Sequence, residues 1–219
     1  MEHFGISINN HRLLDEALTH SSYTNENPRA VCNERLEFLG DAVLGLILGE
    51  KLFQDYPELD EGALTHLRSW MVRRGTLFEI ARQIKLGDYL LMGRGEEASG
   101  GRTKSSNLAG AMEAVIAAIF LDQGWDIARK GVLQVFSTEL ERLNHEQSTH
   151  DYKSRIQELA QARFKLTPVY RIVDENGPDH ARHFTAEIRV GDELTALGNG
   201  RSKKLAESEA ARLALEKLE

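Results

Sequence analysis

The chain has 219 residues, which at roughly 100–200 residues per domain is room for one ordinary domain and a smaller one. Its 41% hydrophobic and 28% charged residues lie near the globular average and exclude wholesale disorder and fibrous repeats. The 27 Lys plus Arg against 34 Asp plus Glu, a formal net charge of −7, argue on their own against a polyanionic partner such as nucleic acid.

The single cysteine, Cys32, cannot form an internal disulfide, and no apolar signal core follows a basic start, so a cytoplasmic protein is expected. The most apolar stretches, 42–48 and 114–121, are far shorter than the roughly 20 residues of a bilayer span; no membrane partner is expected. Between residues 13 and 143 apolar side chains recur every three or four positions, punctuated by Pro28, Pro57, Gly62, Gly87 and a Gly-rich run from 93 to 101. This spacing predicts about six to eight helices. Residues 144–151 (NHEQSTHD) contain no apolar side chain and separate two segments of different period, which predicts a linker.

Beyond it, one amphipathic helix over 152–164 is followed by alternation of period two in 168–173 and 183–190, with Asn176-Gly177-Pro178 between them. A third short strand is expected at 195–197 after Gly191-Asp192, and the helical period returns over 202–218. The predicted fold is thus an all-α domain, 1–145, a linker, 146–150, and a small α+β domain of α-β-β-β-α order, 151–219, with both helices on one face of its sheet. Residues 1–148 hold 15 basic and 22 acidic side chains, whereas 149–219 hold 12 of each. All the excess acid belongs to the helical part.

In Asn33-Glu34-Arg35-Leu36-Glu37-Phe38-Leu39-Gly40-Asp41 the three carboxylates recur at i, i+3 and i+7, within a sector of about 60° of one helix face. Leu36, Leu39, Val43, Leu46 and Ile47 fall on the opposite face. A solvated acidic face is the plain alternative, but three details weigh against it. The like charges repel with only Arg35 nearby, Phe38 projects beside them and suits a partner interface, and Glu113 stands in the otherwise apolar stretch 108–121, where an ionised carboxylate needs a cation. Clustered carboxylates without His or Cys select Mg²⁺ or Mn²⁺ over Zn²⁺, and such sites hydrolyse phosphodiesters. No Ser-His-Asp or Cys-His arrangement competes, and a P-loop fails because Gly95 and Gly100 are followed by Gly101 rather than Lys.

The segment Glu34-Arg35-Leu36-Glu37-Phe38-Leu39-Gly40-Asp41 resembles the signature of the ribonuclease III family. Thr19-His20-Ser21-Ser22-Tyr23, Asp60-Glu61-Gly62 with Leu67-Arg68, and Asn107-Leu108-Ala109 through Glu113-Ala114 resemble its other blocks, in order. The resemblance implies a homodimeric, all-helical endonuclease that cuts double-stranded RNA, acts in rRNA and mRNA processing, and seats Phe38 in the partner subunit. It implies staggered cuts with 5′-phosphate and 3′-hydroxyl ends and two-nucleotide 3′ overhangs. By position it assigns Glu37, Asp41 and Glu113 to the metal, with Asp41 and Glu113 as the catalytic pair and Glu34 and Glu61 in supporting roles. One position departs from the family: Gly110 stands where it has a metal-liganding Asp, three residues before Glu113. A water is expected to fill that coordination position, with weaker metal affinity and weaker cleavage.

Duplex RNA is read through shape, 2′-hydroxyls and phosphates. The helix over 152–164 offers Gln157, Glu158 and Gln161, the turn after the first strand offers Gly177-Pro178-Asp179-His180, and Arg201-Ser202-Lys203-Lys204 crowds cations at a helix start. A cation there is unfavourable by about a few tenths of a kcal/mol, unless a phosphate binds to the free amides and ammonium groups together. The segment resembles the double-stranded-RNA-binding domain through Asp151-Tyr152-Lys153-Ser154, Gly177-Pro178-Asp179-His180 with Phe184, and Ser202-Lys203-Lys204-Leu205-Ala206-Glu207. That resemblance implies RNA contact by Gln157, Glu158, His180, Lys203 and Lys204. A Mg²⁺-dependent ribonuclease is the leading expectation; a duplex-binding protein with cleavage impaired by Gly110, or an acidic helical scaffold holding structural cations, are the alternatives.

Overall fold

The computed structural model describes residues 2–178 and 182–218, with backbone alone for 2 and 144–151. The chain divides into two compact units, Met1–Glu139 and Leu140–Glu219. The first is helical: α1 (His11–Ala17), α2 (Ser21–Glu26), α3 (Glu34–Asp55), α4 (Glu61–Val72), α5 (Arg74–Gln83), α6 (Arg94–Ala98) and α7 (Ser105–Val135). α8 then runs Ser137–Phe164.

Leu108, Met112, Ile116 and Ile119 of α7 are buried with Leu44, Ile47, Leu48 and Leu52 of α3 and Leu77 and Ile80 of α5. Burying each such side chain contributes about 1.5–3 kcal/mol. By length and composition alone α7 could cross a membrane, yet it is the central core helix of this unit, and its backbone breaks at Gly124 (φ 79°, ψ −173°), a conformation essentially restricted to glycine. α3 and α7 meet closely at Gly40, where a Cβ would stand 1.8 Å from the carbonyl oxygen of Glu113. No side chain fits there, and the glycine thereby brings the acidic face of α3 against Glu113.

The punctuation of the sequence has structural counterparts. Asp60 caps α4 by accepting the Ala63 amide at 2.8 Å, and in the Gly-rich run Lys104 and Asn107 both donate to Glu96 Oε1 at 2.8 Å, tying α6 to the start of α7. Leu46, expected on the buried face of α3, is 62% exposed because it lines a groove between α3 and α4.

In the second unit, β1 (Val169–Asn176), β2 (His183–Val190) and β3 (Leu194–Gly200) form an antiparallel sheet in the order β1-β2-β3, followed by α9 (Lys203–Leu218). Tyr170 pairs with Ile188, which pairs with Ala196, and β1 is bulged between Ile172 and Asp174. Ile156 and Ala160 of α8 and Ala210, Ala211, Ala214 and Leu215 of α9 pack with Ile188, Val190, Leu194 and Ala196 in one core. The α-β-β-β-α expectation therefore holds, with longer strands, since β1 and β3 extend into polar residues that the ladder still pairs. The backbone of 146–150, expected as a linker, is helical and continuous with α8. Residues 144–151 contain neither Gly nor Pro, so nothing in them breaks a helix even though they have no apolar face to bury.

Candidate functional site

α3 opens with Glu34 and Glu37 in its first turn, where the helix dipole favours negative charge and offsets part of their mutual repulsion. Asp41 follows one turn later on the same face. Because Gly40 lets α7 approach so closely, these acids share a cavity of about 380 Å³ with Glu113; its lining is Glu34, Glu37, Phe38, Asp41 and Glu113. Glu34 and Asp41 are exposed, Glu37 and Glu113 half-buried. Glu61 lies elsewhere: it lines the adjoining groove between α3 and α4, of about 950 Å³, together with Asp41, Leu46, Phe53 and Arg68. Thr65 Oγ1 donates to Glu61 Oε1 at 3.0 Å. Asp41 thus stands where the two concavities meet.

The electrostatics mark Glu113 out. Burial, then the charges of Asp41 and Glu37, push its carboxyl up to about 7 from an ordinary 4.5, with Arg74 opposing. Glu37 is raised by burial and then by Glu34, while Arg74 and His20 act the other way. Like charges in a partly desolvated cavity disfavour full ionisation, which a bound cation reverses. Among the described residues no three His, Cys, Asp or Glu side chains stand close enough together to hold a metal ion as they are placed. The donor set, carboxylates alone around an open cavity, fits a hard cation that keeps several waters. At Gly110, on the same face of α7 as Glu113, an ideal Cβ would stand 2.5 Å from Glu37 Oε2.

Sequence spacing placed Glu34, Glu37 and Asp41 together correctly and paired them with Glu113, but it missed Arg74. This exposed residue opens α5 and acts through its charge on Glu37 and Glu113 from another helix, so no local signal announces it. Phe38 is 82% exposed at the cavity rim.

In the second unit, Gln157, Glu158 and Gln161 are exposed on α8 beside buried Ile156 and Ala160. Ser202 Oγ accepts the Leu205 amide at 3.2 Å, capping α9, so this hydroxyl has a structural task besides any RNA contact. Lys203 Nζ lies 5.8 Å from the centroid of the Phe184 ring, a cation–π distance that holds the ammonium at the helix start. Lys204 is exposed beside it. Other cations of the unit are engaged: Lys153 pairs with Glu207 at 2.6 Å and Arg212 with Glu209 at 2.7 Å. His180 lies outside the described residues.

The chain thus carries a helical domain with a carboxylate cavity and a sheet-and-helix domain with a cationic helix start. Residues 10–140 match the family model described as ribonuclease-III-like, and residues 152–218 match the double-stranded RNA binding motif. The chain is 52% identical to Ribonuclease 3 of Dehalococcoides mccartyi over 217 residues, covering 98% of this chain and 92% of the relative. It is 44% identical to Ribonuclease 3 of Borreliella afzelii over 220 residues, covering 100% and 90%. Among solved structures, the nuclease domain of ribonuclease III from Campylobacter jejuni, described for flexibility in its region involved in dimer formation, matches with TM-score 0.59 and 39% identity. That match covers 63% of this chain and 93% of the other. The chain belongs to the ribonuclease III family, and its two domains are those of an endoribonuclease acting on double-stranded RNA.

Proposed function

We propose that this chain is a cytoplasmic, homodimeric endoribonuclease that hydrolyses phosphodiester bonds of duplex RNA with Mg²⁺, for which Mn²⁺ can substitute. Its products carry 5′-phosphate and 3′-hydroxyl ends with two-nucleotide 3′ overhangs, and its role is in rRNA and mRNA processing. The observation that carries the reading is the shared cavity of Glu37, Asp41 and Glu113, in which Glu113 is pushed up to about 7 by burial and by its acidic neighbours. A site that penalises its own charges is built to receive a cation.

Glu37, Asp41 and Glu113 would hold the metal, which supplies an activated water and neutralises charge on the phosphate oxygens. Asp41, at the junction of cavity and groove, connects that site to Glu61, which faces the strand path along α4. Glu34, exposed at the start of α3, stays within reach of the scissile strand. Phe38, exposed beside the cavity, seats in a second copy and sets two sites against the two strands. The second domain supplies the grip on RNA: Gln157, Glu158 and Gln161 for minor-groove hydroxyls, Lys203, Lys204 and Ser202 for phosphates, with His180, between β1 and β2 in the sequence, as a further contact.

The test is cleavage of an end-labelled RNA duplex and of its separated strand with Mg²⁺, Mn²⁺ or EDTA. Duplex-selective products with either metal, and none in EDTA, are expected. Cleavage that persists in EDTA, or that ignores strandedness, overturns the proposal.

A further inference from the structure

The exposed polar side chains of the second unit that suit RNA are divided between two helices. α8 carries Gln157 and Gln161, and α9 opens with Lys203 and Lys204. Between these sets lies an ion pair: Lys153 Nζ donates to Glu207 Oε2 at 2.6 Å, with the two side chains only 29% and 28% exposed. Lys153 stands one turn before Gln157 on the same face of α8, and Glu207 one turn after Lys203 on the same face of α9. The pair therefore bridges the two helices next to both RNA-facing sets. Tyr170 of β1 closes the arrangement from the sheet, its ring centroid 4.9 Å from Lys153 Nζ, a cation–π distance. The Tyr170 hydroxyl is buried without a hydrogen-bond partner, a costly placement, so the ring and not the hydroxyl is what this position uses. Burial, then the charge of Glu207, pushes the phenol up to about 12; it stays neutral and adds no competing charge. An exposed pair would be screened by water and contribute little, whereas one enclosed by two helices and a ring is screened much less. Lys153 is thus committed to protein, although it is a cation in an RNA-binding domain.

We infer that Lys153 is a positioning residue for RNA binding: through Glu207 it fixes the RNA-facing side of α8 against the cationic start of α9. The inference rests on the RNA-contact reading given above. The minor-groove hydroxyls and the backbone phosphates of one duplex are set at a fixed distance, so the two helices grip it together only when their spacing matches. The same bond draws the carboxylate of Glu207, which lies at i+4 from Lys203 and i+3 from Lys204, toward α8, and so keeps an acid off the ammonium groups that face phosphate. Glu207 then acts against the sign of its charge: it is an acid whose presence strengthens the hold on a polyanion.

The experiment is filter binding of a labelled RNA duplex to the full chain in EDTA, on the natural protein, Glu207→Gln, Lys153→Met, the double variant and Lys153→Arg, at a temperature where circular dichroism shows each protein folded. Glu207→Gln decides most, because deleting an acid beside a polyanion strengthens binding if charge alone acts, whereas loss of the bridge weakens it. Glu207→Gln and Lys153→Met should each weaken duplex binding about tenfold. The double variant should lose no more than either, since both changes remove the same interaction, and Lys153→Arg, which keeps a donor for Glu207, should lose less than Lys153→Met. A merely structural pair would lower Tm and leave the affinity of the folded variants unchanged. Unchanged or tighter binding in Glu207→Gln or Lys153→Met, a double loss of about a hundredfold, or a loss in Lys153→Arg equal to that in Lys153→Met overturns the inference while leaving RNA contact standing. Failure of the natural, folded chain to bind duplex overturns the RNA-contact reading itself, and this inference with it.

Discussion

Replacing Glu113 by Gln should stabilise the metal-free protein, and only where the natural residue is ionised. The carboxyl is raised from 4.5 to about 7 by burial and by the charges of Asp41 and Glu37, so the native state holds its proton more tightly than the unfolded state does. Below about pH 4.5 both states are protonated and the group contributes nothing. Between 4.5 and 7 the unfolded chain ionises first, and stability falls as pH rises; above 7 the loss is complete and constant. Each pKa unit corresponds to about 1.36 kcal/mol, giving a ceiling of about 3 kcal/mol, and the half-buried side chain is partly screened by water, which brings the expected figure to about 1–2 kcal/mol. Urea unfolding in EDTA measures it, followed by tryptophan fluorescence. Both tryptophans, Trp70 and Trp125, lie in the unit that contains the site. Glu113→Gln should exceed the natural chain by that margin at pH 8 and by little at pH 4.5. A variant no more stable at pH 8, or a gap equal at both values, refutes the electrostatic reasoning.

Three further outcomes follow from particular contacts. Gly40→Ala drives a methyl to within 1.8 Å of a backbone carbonyl, which should cost about 3 kcal/mol or more and lower Tm by roughly 10 °C; a Tm within a degree or two of the natural chain contradicts the close packing of α3 on α7. Lys203→Ala with Lys204→Ala should weaken duplex binding and reduce the slope of log K against log salt by about 1 to 2, as read by a filter-binding series; an unchanged slope removes the phosphate contacts. Phe38→Ala, altering a side chain 82% exposed, should leave Tm unchanged yet yield a monomer mass at micromolar concentration in sedimentation; a persistent dimer assigns the interface elsewhere.

Much of the site was legible because helical periodicity is local. About two turns of α3 suffice to set Glu34, Glu37 and Asp41 on one face, and the apolar run around Glu113 identifies a carboxylate that must be half-buried. What depends on tertiary contact was not legible. The charge of Arg74 acts on Glu37 and Glu113 from another helix, and Glu113 joins the acids of α3 because Gly40 lets α3 lie against α7. Leu46 shares the apolar side of α3 yet is exposed, because α4 leaves a groove above it. The helical backbone of 144–151 was missed for a different reason: lack of apolar residues removes the signal of packing without supplying a break. In the second unit, alternation located the strands, while the polar ends of β1 and β3 are held by pairing that alternation does not report.

The central claim is that the acids gathered from α3 and α7 cut duplex RNA that the second unit holds. Single-turnover cleavage of a labelled duplex in Mg²⁺, with duplex affinity measured in parallel, tests it most directly on Asp41→Asn and Glu113→Gln. Each should bind duplex as the natural chain does and cleave it at least about a hundredfold more slowly. Cleavage at the natural rate by either variant, with affinity unchanged, would contradict it.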